Sequence, residues 1–207
     1  KFTDLGVSIV GGCCGTGPDH ISEIARVLKK RKLEPRRGGA GSVKFSSRTK
    51  VVATKEGLPL LVGERINPSG RKLLQEEIKS GKTFIVREEA KRQTKAGADL
   101  LDINISVHEV SESEAMGTAV KAVQAFSEQP LSIDSPSRAG LESGLKQFCG
   151  RALMNSVNGK KESLERNLPL AKKYGAAIIA LTLDDTGIPQ TAADRLRIAE
   201  KIVQAAT

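Results

Sequence analysis

The sequence predicts an α/β fold of the (β/α)8 TIM-barrel type, on three observations. Between residues 58 and 207, five apolar runs alternate with five amphipathic stretches, the pattern of successive βα units on a parallel sheet. All five runs finish in polar side chains: Glu64 and Asn67, Asp102 and Asn104, Asp134 and Ser135, Asn155 and Asn158, Thr182 and Asp184. A doubly wound sheet gathers its ligand groups at one switch point, whereas a barrel brings every strand end around one mouth. No GxGxxG follows the first run, so the dinucleotide fingerprint is absent.

The elements follow in order. Residues 1–30, with "VSIVGGCCGTGPDHISEIARVLKK", read as a single βα unit whose helix opens after Pro18 and Asp19. Residues 31–57 lack apolar periodicity and are rich in Gly, Ser and Arg, as a solvated interdomain linker is. From residue 58 the strand-like runs are "LPLLVGERIN", "ADLLDINIS", "PLSIDSPS", "RALMNSVNG" and "AAIIALTLDD". Helical spacing of apolar residues marks "VREEAKRQTKAGA", "ESEAMGTAVKAVQAFSE", "SRAGLESGLKQF", "KESLERNLPLAKKYGA" and "TAADRLRIAEKIVQAA". A barrel needs eight units and five follow residue 58. The expectation is therefore a fragment holding the end of one barrel (1–30), a linker (31–57) and the incomplete start of a second barrel (58–207).

Charge narrows the function classes. The net charge of +9 sits wholly within residues 29–55, which carry ten basic residues and one acid, Glu34. A nucleic-acid surface interleaves aromatics for stacking, and only 3% of the chain is aromatic, so no nucleic-acid partner is expected. No apolar run approaches the roughly 20 residues of a membrane span, and the first residues do not read as a signal peptide. The expected setting is the cytoplasm, without a membrane partner. Three cysteines, an odd number, argue against a disulfide framework.

Two of those cysteines are adjacent. Consecutive strand residues point to opposite faces, so Cys13 and Cys14 could share a metal only where the backbone turns, as Gly11, Gly12, Gly15 and Gly17 permit. Two thiolates leave a zinc ion short of ligands, and two small buried side chains fit the pair equally well. Cys149 is expected to pack against a helix end, His20 to cap or pack, and His108 to lie in a loop.

A resemblance resolves the ambiguity. "GGCCGTGPDHI" resembles the closing zinc motif of homocysteine S-methyltransferase barrels. "GERINPSG", "GADLLDINIS", "LSIDSPS", "ALMNSVNG" and "ALTLDDTGIP" resemble the pterin-binding barrel of methyltetrahydrofolate:corrinoid methyltransferases. The two occur in this order, joined by a linker, in the cobalamin-dependent methionine synthase family. The resemblance implies methyl transfer from 5-methyltetrahydrofolate through a corrinoid to zinc-bound homocysteine. Zinc would be held by Cys13, Cys14 and a third ligand outside this chain, and cobalamin by another domain of the same polypeptide. It implies that Asp134 binds the pterin and that Asn155 acts near N5, with Asp102 and Asn104 as further pocket residues. Glu64, Asn67 and Asn158 stand at neighbouring strand ends, and for any of these positions helix capping or turn shaping is the competing reading. Three alternatives stay open. A stand-alone corrinoid methyltransferase would lack the cysteine motif. Dihydropteroate synthase continues differently after its first strand. A non-catalytic binding piece fits the missing strands.

Overall fold

The computed structural model describes residues 11–12, 15–29, 42–55 and 58–207. They fall into two units, residues 1–41 and 42–207. In the first, helix α1 spans Pro18–Lys29. The His20 Nδ1 accepts from the Gly17 backbone N–H at 3.0 Å, so His20 ties down the helix start as the sequence led us to expect. Cys13 and Cys14 lie outside the described residues.

In the second unit, β3 (Val62–Ile66), β4 (Leu100–Asn104), β5 (Leu131–Asp134), β6 (Leu153–Asn158) and β7 (Ala177–Leu181) form one parallel sheet in that order. These are the five predicted runs, adjacent in space as in sequence, and they form five strands of the expected barrel. Helices α3 (Phe84–Lys95), α4 (Glu112–Phe126), α5 (Arg138–Gln147), α6 (Lys161–Tyr174) and α7 (Ala192–Ala206) are the predicted amphipathic stretches. The structure adds α2 (Lys72–Lys79), which the sequence reading passed over. Two helix-to-strand turns use the same device: Gly97 after α3 and Gly175 after α6 adopt φ of 92° and 63°. Only glycine takes that conformation cheaply, and an alanine then leads into the next strand.

Strand alternation divides the packing into two regions. Leu101, Ile103, Leu131, Ile133 and Met154, all at most 1% exposed, point outward into the helix layer and join the main core. The intervening positions face the interior of the curved sheet. At the N-terminal end of that face Leu100 packs with Leu153 and Ala177. Further along it the residues turn polar: Asp102 and Asn104 on β4, Ser132 and Asp134 on β5, Asn155 on β6.

The linker expectation is corrected over residues 42–55. Strands β1 (Lys44–Ser46) and β2 (Val51–Ala53) form an antiparallel hairpin, and its buried Phe45 and Val52 pack on Leu100. The hairpin is stitched to the N-terminal ends of the strands. Arg151 donates from its backbone N–H to Ser46 Oγ and from its guanidinium to the Lys44 carbonyl, both at 3.0 Å, while Lys50 Nζ donates to Gln129 Oε1 at 2.6 Å. One buried apolar residue per strand is too few to show as periodicity, and Lys50, one of the basic side chains that suggested solvation, makes one of these bonds. Cys149 is also corrected: it is exposed, and its backbone N–H donates to Gln124 Oε1 at 2.7 Å. Among the described residues, no helix is long and apolar enough to cross a membrane.

Candidate functional site

Main-chain register builds the site. Asn104 stands opposite Asp134, and Asp134 opposite Asn155, so three polar side chains from three strands form a row on the interior face. One level below, Asp102 stands opposite Ser132. Asn104 donates from Nδ2 to Asp134 Oδ2 at 2.9 Å, and its Oδ1 accepts from the Ser106 backbone N–H at 3.0 Å. The amide is thereby fixed in orientation, and Asp134 keeps its other oxygen clear of that contact.

Burial gives the row its chemistry. Asp102 is 4% exposed, and loss of water pushes its pKa up to about 6. The nearby charges of Asp134 and Glu64 add to the rise, while Ser132 and Asn155 pull it back in part. Asp102 Oδ2 and Ser132 Oγ are buried and short of a well-formed hydrogen bond, although the Ser132 hydroxyl stands close enough across the ladder to lower the Asp102 pKa. Such atoms are rare in a folded protein unless something else completes them. Asp134 is raised too, first by burial, with Glu64 and Glu112 adding and the Asn104 bond opposing. Crowded carboxylates with unfilled acceptor sites match a ligand rich in N–H donors.

The row opens into a cleft of about 700 Å³, within the range of small-molecule sites. Of the predicted residues, Asn104, Asp134, Asn155 and Asn158 line it. Asp102 lies beneath. Glu64 is exposed on β3 and accepts from Asn67 Nδ2 at 3.4 Å; Asn67 Oδ1 accepts from the Ser69 backbone N–H at 3.0 Å. Asn158 Oδ1 accepts from the Lys160 backbone N–H at 3.0 Å, so one end of that side chain already shapes the turn into α6.

Sequence reasoning missed Glu112. Its Oε1 accepts from Ser106 Oγ and Ser135 Oγ, each at 2.6 Å, which couples the loops after β4 and β5 behind the row. The link needs room: a Cβ on Gly140 would come within 2.4 Å of Ser135 Oγ and 3.1 Å of Glu112 Cγ. An acid in the first turn of a helix reads as ordinary dipole complementation, so its sequence carries no distinguishing signal. Ser132 did offer one, as a polar residue alternating with Leu131 and Ile133. Among the described residues, no group of three His, Cys, Asp or Glu side chains is arranged to hold a metal ion.

The family described as "Pterin binding enzyme" matches residues 63–206. The chain belongs to the pterin-binding enzyme family. A second family, "Homocysteine S-methyltransferase", matches residues 1–28, so both halves of the resemblance read from the sequence find a counterpart. The chain is 32% identical over 207 residues to a methionine synthase of Mycobacterium tuberculosis, with 98% of this chain aligned. It is 30% identical over 215 residues to that of Mycobacterium leprae, again with 98% of this chain aligned. It spans only 17% and 18% of the length of those two relatives. Among solved structures, a dihydropteroate synthase of Xanthomonas albilineans superposes with a TM-score of 0.55 at 17% identity, covering 80% of this chain and 60% of that one. One from Vibrio fischeri gives 0.53 at 16% identity, covering 79% and 62%. At such identity the likeness is one of fold, and it places this pterin-binding family member among TIM-type barrels.

Proposed function

We propose that the second unit binds the pterin ring of 5-methyltetrahydrofolate and positions its N5-methyl group for transfer, and that the whole protein is a methyltransferase that makes methionine from homocysteine. The observation that carries the reading is the in-register row Asn104, Asp134 and Asn155 above the buried, half-satisfied Asp102. A pterin offers an amino group beside a ring N–H, a donor pair that one carboxylate accepts in bidentate fashion. Asp134 is the acceptor: Asn104 holds it in place, and a bound donor pair offsets the penalty that burial places on its ionised form. Asp102 Oδ2 supplies a further acceptor.

Asn155, next in the row, stands near N5. A tertiary amine leaves poorly, so an interaction at N5 that strengthens as the methyl departs lowers the barrier more than it tightens substrate binding. A reduced corrinoid on another domain would supply the nucleophile that takes the methyl group. Residues 1–30 would contribute Cys13 and Cys14 as two thiolate ligands of a zinc ion, which promotes ionisation of the homocysteine thiol. The cysteine motif and the family match over residues 1–28 support that part.

The test uses the intact protein. Asp134→Asn leaves one ligand donor mismatched in a desolvated cleft, and should cost about 2 to 4 kcal/mol of folate affinity, roughly 30- to 1000-fold in Kd. Asn155→Ala should slow single-turnover methylation of free cobalamin more than it weakens folate binding. Normal binding by Asp134→Asn, or equal losses of rate and affinity in Asn155→Ala, would show that the role given to that residue is wrong.

A further inference from the structure

The segments that follow β4 and β5 converge on one side chain that is not part of the cleft lining. Glu112, half-buried in the first turn of α4, accepts from Ser106 Oγ and from Ser135 Oγ with the same oxygen, Oε1, each at 2.6 Å. Both serines lead straight back to the row. The Ser106 backbone N–H donates to Asn104 Oδ1 at 3.0 Å, and Asn104 Nδ2 donates to Asp134 Oδ2 at 2.9 Å. Ser135 follows Asp134 in the chain, is 4% exposed, and donates from its backbone N–H to the Asn155 carbonyl at 3.2 Å. A ring therefore runs from Glu112 through Ser106, Asn104, Asp134 and Ser135 back to Glu112, with Asn155 attached at Ser135.

One oxygen that takes two hydroxyls at so short a distance suits a carboxylate, because charge-assisted bonds are shorter and roughly twice as strong as neutral ones. The two hydroxyls are unequal. Ser135 Oγ lies 3.0 Å from the Ser137 carbonyl and can turn its proton there, whereas Ser106 Oγ has Glu112 as its one acceptor among the described residues. Loss of Glu112 therefore falls on the Asn104 side of the ring. Glu112 also bears on Asp134 by charge: it and Glu64 of β3 add to the rise that burial starts, against the Asn104 bond. Asp102 lies one level below Asp134, and Arg138, Lys160 and the paired Arg166 and Glu162 line the same cleft from α5 and α6.

Resting on the pterin reading of the floor, we infer that Glu112 is a positioning residue of that site: without touching the ligand, it holds Asn104 and Asp134 in the geometry that receives the donor pair. Its negative charge also makes Asp134 the more basic acceptor, which then needs a higher pH to stay ionised.

The experiment measures the Kd of 5-methyltetrahydrofolate against pH in the intact protein. It compares the parent with Glu112→Gln, Glu112→Ala, Ser106→Ala and the double variant of the last two. Near neutral pH, Glu112→Ala should weaken binding on the order of tenfold. Ser106→Ala should weaken it less, and the double variant should lie within about twofold of Glu112→Ala alone, because the two residues act through one link. Glu112→Gln keeps an acceptor of the same shape, so it should retain more affinity than Glu112→Ala. Its binding should fail only at lower pH than the parent's, since Asp134 no longer faces that charge; a purely structural role would not move this limit. Glu64, Asp102 and the ligand titrate in parent and variant alike. Gly140→Ala is an independent probe that leaves the charge in place: its Cβ, 2.4 Å from Ser135 Oγ and 3.1 Å from Glu112 Cγ, forces the link apart, and affinity should fall as in Glu112→Ala.

Additive losses in the double variant, or an acid limit unmoved in Glu112→Gln, overturn the inference. Where Glu112→Ala does not fold, the acid limit of Glu112→Gln and the affinity of Gly140→Ala decide. If the parent binds and depends on Asp134 while every Glu112 variant matches it, the pterin reading stands and this role falls. If binding is indifferent to Asp134→Asn, both fall.

Discussion

Asp102→Asn should stabilise the barrel at alkaline pH while impairing its ligand site. The carboxyl has an ordinary value of 3.8 and a folded value of about 6, a rise of about 2 units, or roughly 3 kcal/mol at 1.36 kcal/mol per unit. A group whose pKa is raised on folding binds its proton more tightly in the folded state. Its contribution is most favourable below pH 3.8, declines as pH climbs through about 6, and is fully lost above that. The neutral amide removes the penalty, and its Nδ2 can donate toward Asp134 or Glu64, whose charges help raise Asp102 now. The expected gain is up to about 3 kcal/mol at pH 8, shrinking to about 1 kcal/mol at pH 4.5 by the same linkage. Hydrogen exchange of the β4 and β5 amides in the intact protein reads it, variant against parent at each pH. An equal gain at both pH values, or a net loss at pH 8, would refute the view that an ionised, desolvated Asp102 is held there at a cost in stability.

Phe45→Ala should destabilise the second unit by about 3 kcal/mol, because it empties a buried aromatic site; exchange protection at the starts of β4 and β6 should fall with it, whereas a change under about 0.5 kcal/mol would mean that the hairpin merely rests on the surface. Cys13→Ser and Cys14→Ser should each remove most of the bound zinc and abolish homocysteine methylation while sparing methylfolate-dependent methylation of free cobalamin. Loss of both half-reactions together would indicate a structural role for the pair.

Parallel strands buried on the helix side announce themselves, which is why all five runs and their polar ends are legible in the sequence. "LLDIN" and "LSID" also show by alternation that Asp102, Asn104, Ser132 and Asp134 share one face. What alternation cannot show is pairing offset, and the offset makes Asn104, Asp134 and Asn155 neighbours. The hairpin escaped because Phe45 and Val52 each act alone, and because Lys50 and Arg151 make the kind of long polar contact that leaves no local pattern. Glu112 escaped for the opposite reason: its position looks fully explained by its own helix.

The row at the cleft floor is spaced by the β-ladder, roughly 4.8 Å from strand to strand, and no loop contributes to that spacing. Insertions after β5 or β6 would remodel the mouth and leave the floor unmoved. A lineage, or an engineer, can therefore change what the mouth admits without rebuilding the floor. The converse also holds: a one-residue slip in either pairing would flip a whole strand's side chains to the other face, so the row can be lost abruptly but is hard to adjust by degrees.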